Sequence, residues 1–354
     1  MRTFATLIFT PIMFKTKFID VSKWKKEVHI NTSGTRNKHI LTSNLGLVYF
    51  FKKSLFKPGK DYKYEFWSEI IASQIGRLLS FNVVPYDVAY FKNEIGCISK
   101  SIIDINNEEL NEGYGYIVEK HPDFQDNYRK SHSFQKIVGS LKKLKLEHLI
   151  NDVIKMIIFD AIIGNSDRHS ENWAVVISNK KLNEAIKNVS QLSWLDKLKL
   201  QFILLFISKG KFTISKFDKK MKKDICKFSP LYDNGSSLAR ELDDKKMEEL
   251  LNNNDKFEIF INKGKPDIRW NDNKLNHFEL INTIKIDYPD EVNKVFEIIK
   301  SRYSKKILVN IVKNIDKKLP NQFNDYKLSS IRKEFIVKYI DARINIILNN
   351  NEQV

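Results

Sequence analysis

One segment, GNSDRHSENW at residues 164–173, places carboxylate, amide, guanidinium and imidazole groups between two blocks rich in Ile and Val. A buried core has no use for these groups, and a plain surface turn does not need so many. Within the segment, Asp167 and Asn172 have the D-x-x-x-x-N spacing of a loop that transfers phosphoryl groups. In such a loop the Asp orients an acceptor hydroxyl and takes its proton, while the Asn oxygen binds Mg²⁺.

A second carboxylate, Asp233, stands before Asn234 and Gly235 in the segment PLYDNGSS. A carboxylate held in such a turn is suited to bridge Mg²⁺ to the β- and γ-phosphates of a nucleotide. Taken alone, each motif has an ordinary interpretation, since Asp167 could belong to the loop after a helix and Asp233 to an Asx turn. The interpretation therefore depends on the elements around them.

The first part of the chain, residues 1–110, has the pattern of a small α+β lobe. The runs HILTSN and LGLVYFFKKS predict a hairpin that turns between Asn44 and Gly46, and DVAYFKNEIGCISKS predicts a second hairpin that turns at Lys92–Asn93. Between the two hairpins, EFWSEIIASQIGRLLSFNVVP carries apolar residues at helical spacing and predicts a helix.

This lobe also supplies residues that could hold phosphates. Lys52 ends the strand of the first hairpin and Glu69 lies on the helix that follows, so the Glu could hold the Lys against the α- and β-phosphates. The Ser33, Gly34 and Thr35 turn before that strand could offer backbone N–H groups to phosphate. A solvated Lys at a strand end and a surface Glu are the alternatives, but the presence of all these features in order favours the phosphate site.

The rest of the chain is mostly helical by pattern. Residues 150–162 repeat apolar side chains at i, i+3 and i+4, which predicts a buried helix that ends at Gly164, and NWAVVIS then predicts a strand. Two further amphipathic helices are predicted over 290–318 and 328–349. We place the lobe boundary between residues 1–112 and 113–354, with an inserted helical segment near 180–222. Packing on the large lobe is favoured for the insertion over a partner or membrane-surface contact.

The composition of the chain limits the functions that it could have. The 354 residues carry a formal net charge of +17, but the Lys residues are spread along the chain, so we do not expect direct nucleic-acid binding. Cys97 and Cys226 are the only cysteines, which argues against a disulfide framework or a Cys-based zinc site. We interpret the apolar start of the chain as a first strand and expect a cytoplasmic protein, with secretion as an effector left open.

These segments, taken in order, resemble the HipA-like serine/threonine kinase family. The resemblance covers roughly residues 30–240 and is closest to short members that lack the family's extra N-terminal subdomain. The segments that carry it are SGTRNKHI, YFFKKS, SEIIASQIGRLLSFNVVP, IIGNSDRHSENW and PLYDNGSS. It implies a bilobal protein-kinase-like fold, with a small β-rich N-lobe and a larger, mostly helical C-lobe, that uses ATP and Mg²⁺.

The resemblance also implies a role for each matching residue. The implied roles are a catalytic base at Asp167, Mg²⁺ ligands at Asn172 and Asp233, a phosphate-binding Lys52 held by Glu69, supporting positions in the catalytic loop at Arg168 and His169, adenine contacts from the backbone near Lys100–Ile102, a phosphate loop at Ser33, Gly34 and Thr35, and autophosphorylation of Thr32, Ser33 or Thr35.

Three functions remain open from the sequence. The first is transfer to a Ser or Thr hydroxyl of a protein, as a toxin with an antitoxin partner or as an effector. The second is a lipid or small-molecule kinase, because a phosphoinositide-kinase loop also carries a D-R-H-x-x-N run. The third is a basic nucleic-acid-binding or interaction protein on an inactive kinase scaffold. The retained metal and base positions favour the first two.

Overall fold

The computed structural model describes residues 16–27, 38–57, 60–125, 128–188 and 219–349. A strand-rich N-terminal lobe is followed by a mostly helical C-terminal lobe, as predicted. The strands are β1 Phe18–Asp20, β2 Lys25–Lys26, β3 Lys38–Thr42, β4 Val48–Lys53, β5 Phe56–Lys57, β6 Lys60–Asp61, β7 Asp87–Phe91, β8 Glu94–Lys100, β9 Glu108–Glu112, β10 Ala174–Ser178 and β11 Cys226–Phe228. The helices are α1 Glu65–Leu78, α2 Gly113–Lys120, α3 Tyr128–Ser131, α4 Phe134–Lys143, α5 Ile150–Ile163, α6 Asn179–Asn188, α7 Lys219–Ile225, α8 Asp244–Asn252, α9 Asn254–Lys263, α10 His277–Asp287, α11 Pro289–Arg302, α12 Lys305–Asn314 and α13 Ser330–Asn349.

The N-lobe is built on a six-stranded sheet in the order β1-β7-β8-β4-β3-β2. All pairs are antiparallel except β1 with β7. Both predicted hairpins are present, and their turns need positive φ values, which are 73° at Gly46, 46° at Lys92 and 71° at Asn93. The predicted helix between the hairpins is α1.

Side-chain alternation along the central strands decides which residues face α1. In β4, Phe51 enters a small core together with Ile98 of β8, on the sheet face away from α1. The next residue, Lys52, points to the opposite face, where its cross-strand neighbour Cys97 belongs to the large core that contains α1. Because successive strand residues face opposite sides, the Lys52 side chain lies between the sheet and helix α1.

The C-lobe surrounds α5, which is buried along most of its length. A three-stranded antiparallel sheet in the order β11-β10-β9 lies beside it, and the chain enters this lobe through β9. The predicted helix over 290–318 is wrong, because two helices, α11 and α12, occupy this segment. They are separated at Tyr303, whose extended backbone lets its hydroxyl donate to Asp341 of α13 at 2.5 Å.

Several predicted features lie outside the described residues. These are the first strand near the start of the chain, the phosphate-loop residues Thr32, Ser33, Gly34 and Thr35, and the central part of the insertion at 189–218. Within the described ranges, no helix is both long and apolar enough to cross a membrane.

Candidate active site

Lys52 joins the two lobes at the centre of the site. Its ammonium lies 3.1 Å from Glu69 Oε1 on α1 and 3.2 Å from Asp233 Oδ1 in the C-lobe, with the Tyr86 hydroxyl at 3.4 Å. The Glu69 side chain is 2% exposed and those of Lys52 and Asp233 are each 11% exposed, so these charges lie largely out of water. A buried charge is tolerated only when it is paired, and here one cation faces two carboxylates.

The charge state of Lys52 follows from this arrangement. Burial on its own would lower the pKa of Lys52, but the carboxylates of Asp233 and Glu69 outweigh burial and hold the pKa well above its ordinary value. Burial and then the nearby Glu69 charge raise the pKa of Tyr86, which stays a neutral phenol. Lys52 is therefore a permanent cation that can pair with phosphate oxygens.

Helix α1 contacts the segment that carries Asp233 through three polar side chains. Glu65 pairs with Arg240, and the Ser68 hydroxyl donates to the Ser237 carbonyl at 3.2 Å. One turn after Glu65, Glu69 Oε2 accepts from the Asn234 backbone N–H at 2.8 Å. Residues spaced i, i+3 and i+4 lie on one helix face, so the same face that presents Glu69 to Lys52 also fixes the backbone next to Asp233.

The segment GNSDRHSENW begins where α5 ends. Gly164 caps the helix in the left-handed region at φ 66°, and a Cβ added there would overlap the Tyr339 hydroxyl of α13. Arg343, which is buried on α13, donates to the Ala161 carbonyl at 2.5 Å. This carbonyl is one of the last in α5. The C-terminal helix α13 therefore supports the start of the loop.

The loop is closed by its own polar groups. The Asp167 N–H donates to Asn165 Oδ1 at 3.2 Å, and the Asn172 side-chain amide donates to the Asp167 carbonyl at 2.8 Å. From the Asp233 segment, the Ser236 hydroxyl donates to Asp167 Oδ2 at 3.3 Å. The Asp167 carboxylate is therefore within reach of a hydroxyl, which is the geometry that a base for a hydroxyl proton requires.

Arg168 holds the parts of the site together and is completely buried. Its Nε and Nη2 donate to the two Asp160 carboxylate oxygens at 2.9 and 2.7 Å, and Nη2 also donates to Asn234 Oδ1 at 2.7 Å. Its Nη1 donates to the carbonyls of Asn172 at 2.8 Å and Tyr232 at 2.5 Å. A single nitrogen therefore brings the backbone of Asn172 next to the residue that precedes Asp233.

This arrangement fits a magnesium ion bound together with phosphates. Asn172 uses its amide nitrogen inside the loop, which leaves its side-chain oxygen as a ligand. Asp233 has a positive φ of 58° and follows Tyr232, whose carbonyl shares Arg168 Nη1 with the Asn172 carbonyl. Mg²⁺ commonly takes one or two protein oxygens and completes its shell with phosphate and water. Within the described ranges no group of three or more His, Cys, Asp or Glu could hold a metal alone, so phosphate oxygens would have to complete this site.

His169 lies inside the loop rather than at its surface. It is 9% exposed, its N–H donates to the Asp167 carbonyl at 3.0 Å, and its Nδ1 accepts from the Glu171 N–H at 3.4 Å. Burial, with the charge of His169 as a smaller contribution, lowers the pKa of the neighbouring His132 to about 3. These contacts suit the supporting role predicted for His169.

Lys100 and Ile102 lie where β8 leaves the N-lobe sheet. Lys100 is exposed at the strand end and pairs with Tyr49, whereas Ile102 is half-buried against the large core. Both stand on the connection between the lobes, and their adenine contact stays a prediction. The phosphate-loop residues fall outside the described ranges, as given above.

Sequence reasoning missed two residues that the structure brings into the site. Asp160, the partner of Arg168, is a lone carboxylate in the apolar run MIIFDAII, and a charge in such a run is a usable signal of a buried pair. Tyr86 reaches Lys52 from the segment before β7, and no local pattern marks it. The resemblance implies only a supporting role for Arg168, whereas its five hydrogen bonds make it the central link of the site.

The chain has the two-lobed α+β fold of a kinase. It is similar to the crystal structure of a Helicobacter pylori proinflammatory kinase, CtkA, with a TM-score of 0.69 and 18% identity, over 96% of this chain and 99% of that chain. A Shewanella oneidensis MR-1 HipA, in complex with HipB and operator DNA, matches with a TM-score of 0.48 and 12% identity, over 92% of this chain and 66% of that one. No family model matches the sequence, and no curated protein matches it. The fold assignment rests on the first structure.

Proposed function

We propose that the protein is an ATP- and Mg²⁺-dependent kinase that transfers a phosphoryl group to a Ser or Thr hydroxyl of a protein. The observation that carries this proposal is the contact of one buried lysine, Lys52, with Glu69 at 3.1 Å and Asp233 at 3.2 Å. Two carboxylates desolvated around one lysine are costly to bury, and a site that binds nucleotide phosphates and a metal ion is a physical reason for this arrangement. The resemblance of the loop sequence and the kinase fold support the same proposal.

The contacts suggest a role for each residue of the site. Lys52 would pair with the phosphates, and Glu69 would keep its ammonium in place. Asn172 and Asp233 would hold Mg²⁺, which neutralises charge on the phosphates when it is bound. Asp167 would accept the proton of the acceptor hydroxyl, at the position where the Ser236 hydroxyl now donates. Positioning and charge neutralisation are the main contributions a protein makes to phosphoryl transfer.

The direct test is incubation of the purified protein with γ-labelled ATP, Mg²⁺ and a generic protein acceptor. We expect label on protein with the wild type, and loss of it with Asp167→Ala and with Asp233→Ala. Asp287→Ala is a matched control, because that carboxylate is exposed at the end of α10. Label that persists in both site variants would contradict the proposal.

The acceptor class needs a separate experiment. Adding anionic lipid vesicles to the same reaction distinguishes the lipid-kinase alternative, since label would then move to the lipid fraction. Autophosphorylation at Thr32, Ser33 or Thr35 is checked by phosphopeptide mapping of the labelled protein. An antitoxin partner, an effector role and a cytoplasmic location stay predictions of the sequence.

A further inference from the structure

A cavity of about 310 Å³ lies on the C-lobe, beside the amino end of α5 and outside the Lys52 site. Its walls come from α5, α7, β11 and the segment that follows α1. The residues that line it include Phe81, Lys155, Lys223, Lys227, Phe228 and Ser229. Its volume is at the lower end of the range for small-molecule sites.

Positive charge predominates at the rim of this cavity. Lys155, Lys223 and Lys227 contribute three ammonium groups, against one carboxylate from Asp152, which pairs with Lys155 at 3.3 Å. In the part of the chain that the structure describes, neither Lys223 nor Lys227 has a carboxylate within salt-bridge distance.

Ser229, which lines the cavity, has a buried hydroxyl that lacks a partner among the described residues. Ser229 is 2% exposed, and its Oγ makes no hydrogen bond to any described residue. A buried hydroxyl without a partner is costly, and native proteins satisfy most such groups with protein, water or ligand. His148 donates from Nε2 to the Cys226 carbonyl at 3.1 Å, so the ring is held in place beside the same wall.

We propose that this cavity binds a small phosphate ester that carries an apolar or aromatic body. The lysines would hold the phosphate, and the Ser229 hydroxyl would turn towards it and donate to one of its oxygens. The body would lie against Phe81 and Phe228, which are buried but line the cavity. A free inorganic anion would use only the charged part of the site.

The cavity is mechanically connected to the proposed nucleotide site. The Leu231 N–H donates to the Asn82 carbonyl at 2.7 Å, and the Leu231 carbonyl accepts from the Val84 N–H at 3.0 Å. These bonds join the segment after α1, the helix of Glu69, to the segment two residues before Asp233. If the protein is the proposed kinase, a bound ester changes its nucleotide affinity, and nucleotide changes the affinity for the ester by the same factor.

Phenyl phosphate is the probe, titrated into the full chain by calorimetry without nucleotide, with inorganic phosphate and phenol as partial probes. We expect phenyl phosphate to bind more tightly than either partial probe. Lys223→Glu with Lys227→Glu should weaken it at least about tenfold. The matched pair Lys317→Glu with Lys318→Glu, which reverses two exposed charges elsewhere, should leave it unchanged.

Ser229→Ala provides the second variant, because the hydroxyl has no described protein partner to lose. We expect it to weaken phenyl phosphate about tenfold with an unchanged melting temperature. Binding that survives both cavity variants but disappears in Lys52→Met would mean that the ester occupies the nucleotide site, and would overturn the proposal. Absence of binding would overturn it as well. If phenyl phosphate binds but the affinity for ATP does not change, the cavity site stands and the proposed coupling to the nucleotide site is wrong.

Discussion

Replacing Arg168 with Met tests whether the buried guanidinium is the link that holds the site together. The substitution keeps a long side chain but removes the bonds to both Asp160 oxygens, to Asn234 and to the carbonyls of Asn172 and Tyr232. Removing one partner of a buried ion pair costs about 3–5 kcal/mol of folding free energy. This is a large part of the roughly 5–15 kcal/mol that stabilises a typical domain.

The pH dependence of this loss identifies its cause. Burial raises the pKa of Asp160, and the Arg168 guanidinium opposes that effect. Without the guanidinium the folded-state pKa rises further above the unfolded value, so the variant loses stability as pH rises from the unfolded towards the folded pKa. The slope is at most about 1.4 kcal/mol per pH unit. Urea unfolding should therefore show a larger deficit at about pH 8 than at about pH 5.

Two further variants separate this explanation from loss of packing. Adding Asp160→Asn to Arg168→Met removes the uncompensated carboxylate and should recover about 2 kcal/mol or more at the higher pH. Arg343→Met removes a second buried guanidinium, which donates to the carbonyls of Ala161 and Ile261, so its deficit should not be recovered by Asp160→Asn. An Arg168→Met deficit under about 1 kcal/mol, or one equal at both pH values, would refute the reasoning.

Three other predictions follow from single contacts. Glu69→Gln leaves Lys52 with one carboxylate partner and should lower kcat/KM for ATP about ten- to a hundredfold in steady-state assays. Unchanged kinetics would contradict the role of Glu69 in positioning Lys52. Ser236→Ala removes the hydroxyl that donates to the Asp167 carboxylate, and should lower kcat by up to about tenfold while the calorimetric Kd for ATP is unchanged. A changed Kd would instead assign Ser236 to ATP binding. Gly164→Ala forces a Cβ into the Tyr339 hydroxyl at positive φ and should cost about 1–3 kcal/mol in urea unfolding, while Gly139→Ala, which meets only the flexible end of a lysine, should be neutral or stabilising.

The sequence predicts the local elements of this fold and the order of the site residues, for identifiable reasons. The two hairpins carry turn residues at Gly46 and Asn93, and α5 carries a strong apolar period that stops at a left-handed glycine. Because a strand alternates its faces, Lys52 could be expected opposite the small core once Phe51 was placed in it. These signals are local and survive in a single sequence.

The links between segments could not be predicted in the same way. Arg168 joins Asp160, Asn172 and the Tyr232–Asn234 segment, which are up to 66 positions from it in sequence, and nothing local selects those partners. The break between α11 and α12 likewise brings the Tyr303 hydroxyl to Asp341 on another helix, a contact that the continuous amphipathic pattern over 290–318 does not indicate. Long-range pairing of buried polar groups is a property of the assembled lobe.

The most direct test of the central claim is the Mg²⁺ dependence of ATP binding, measured by calorimetry on the wild type and on Asp233→Asn. Asp233 lies 3.2 Å from Lys52 and beside Asn172, so the metal and the lysine would meet the same phosphates. We predict that Mg²⁺ tightens ATP binding to the wild type at least about tenfold and has little effect on Asp233→Asn. Equal Mg²⁺ dependence in both proteins, or no ATP binding by the wild type, would contradict the assignment of these residues to a phosphoryl-transfer site.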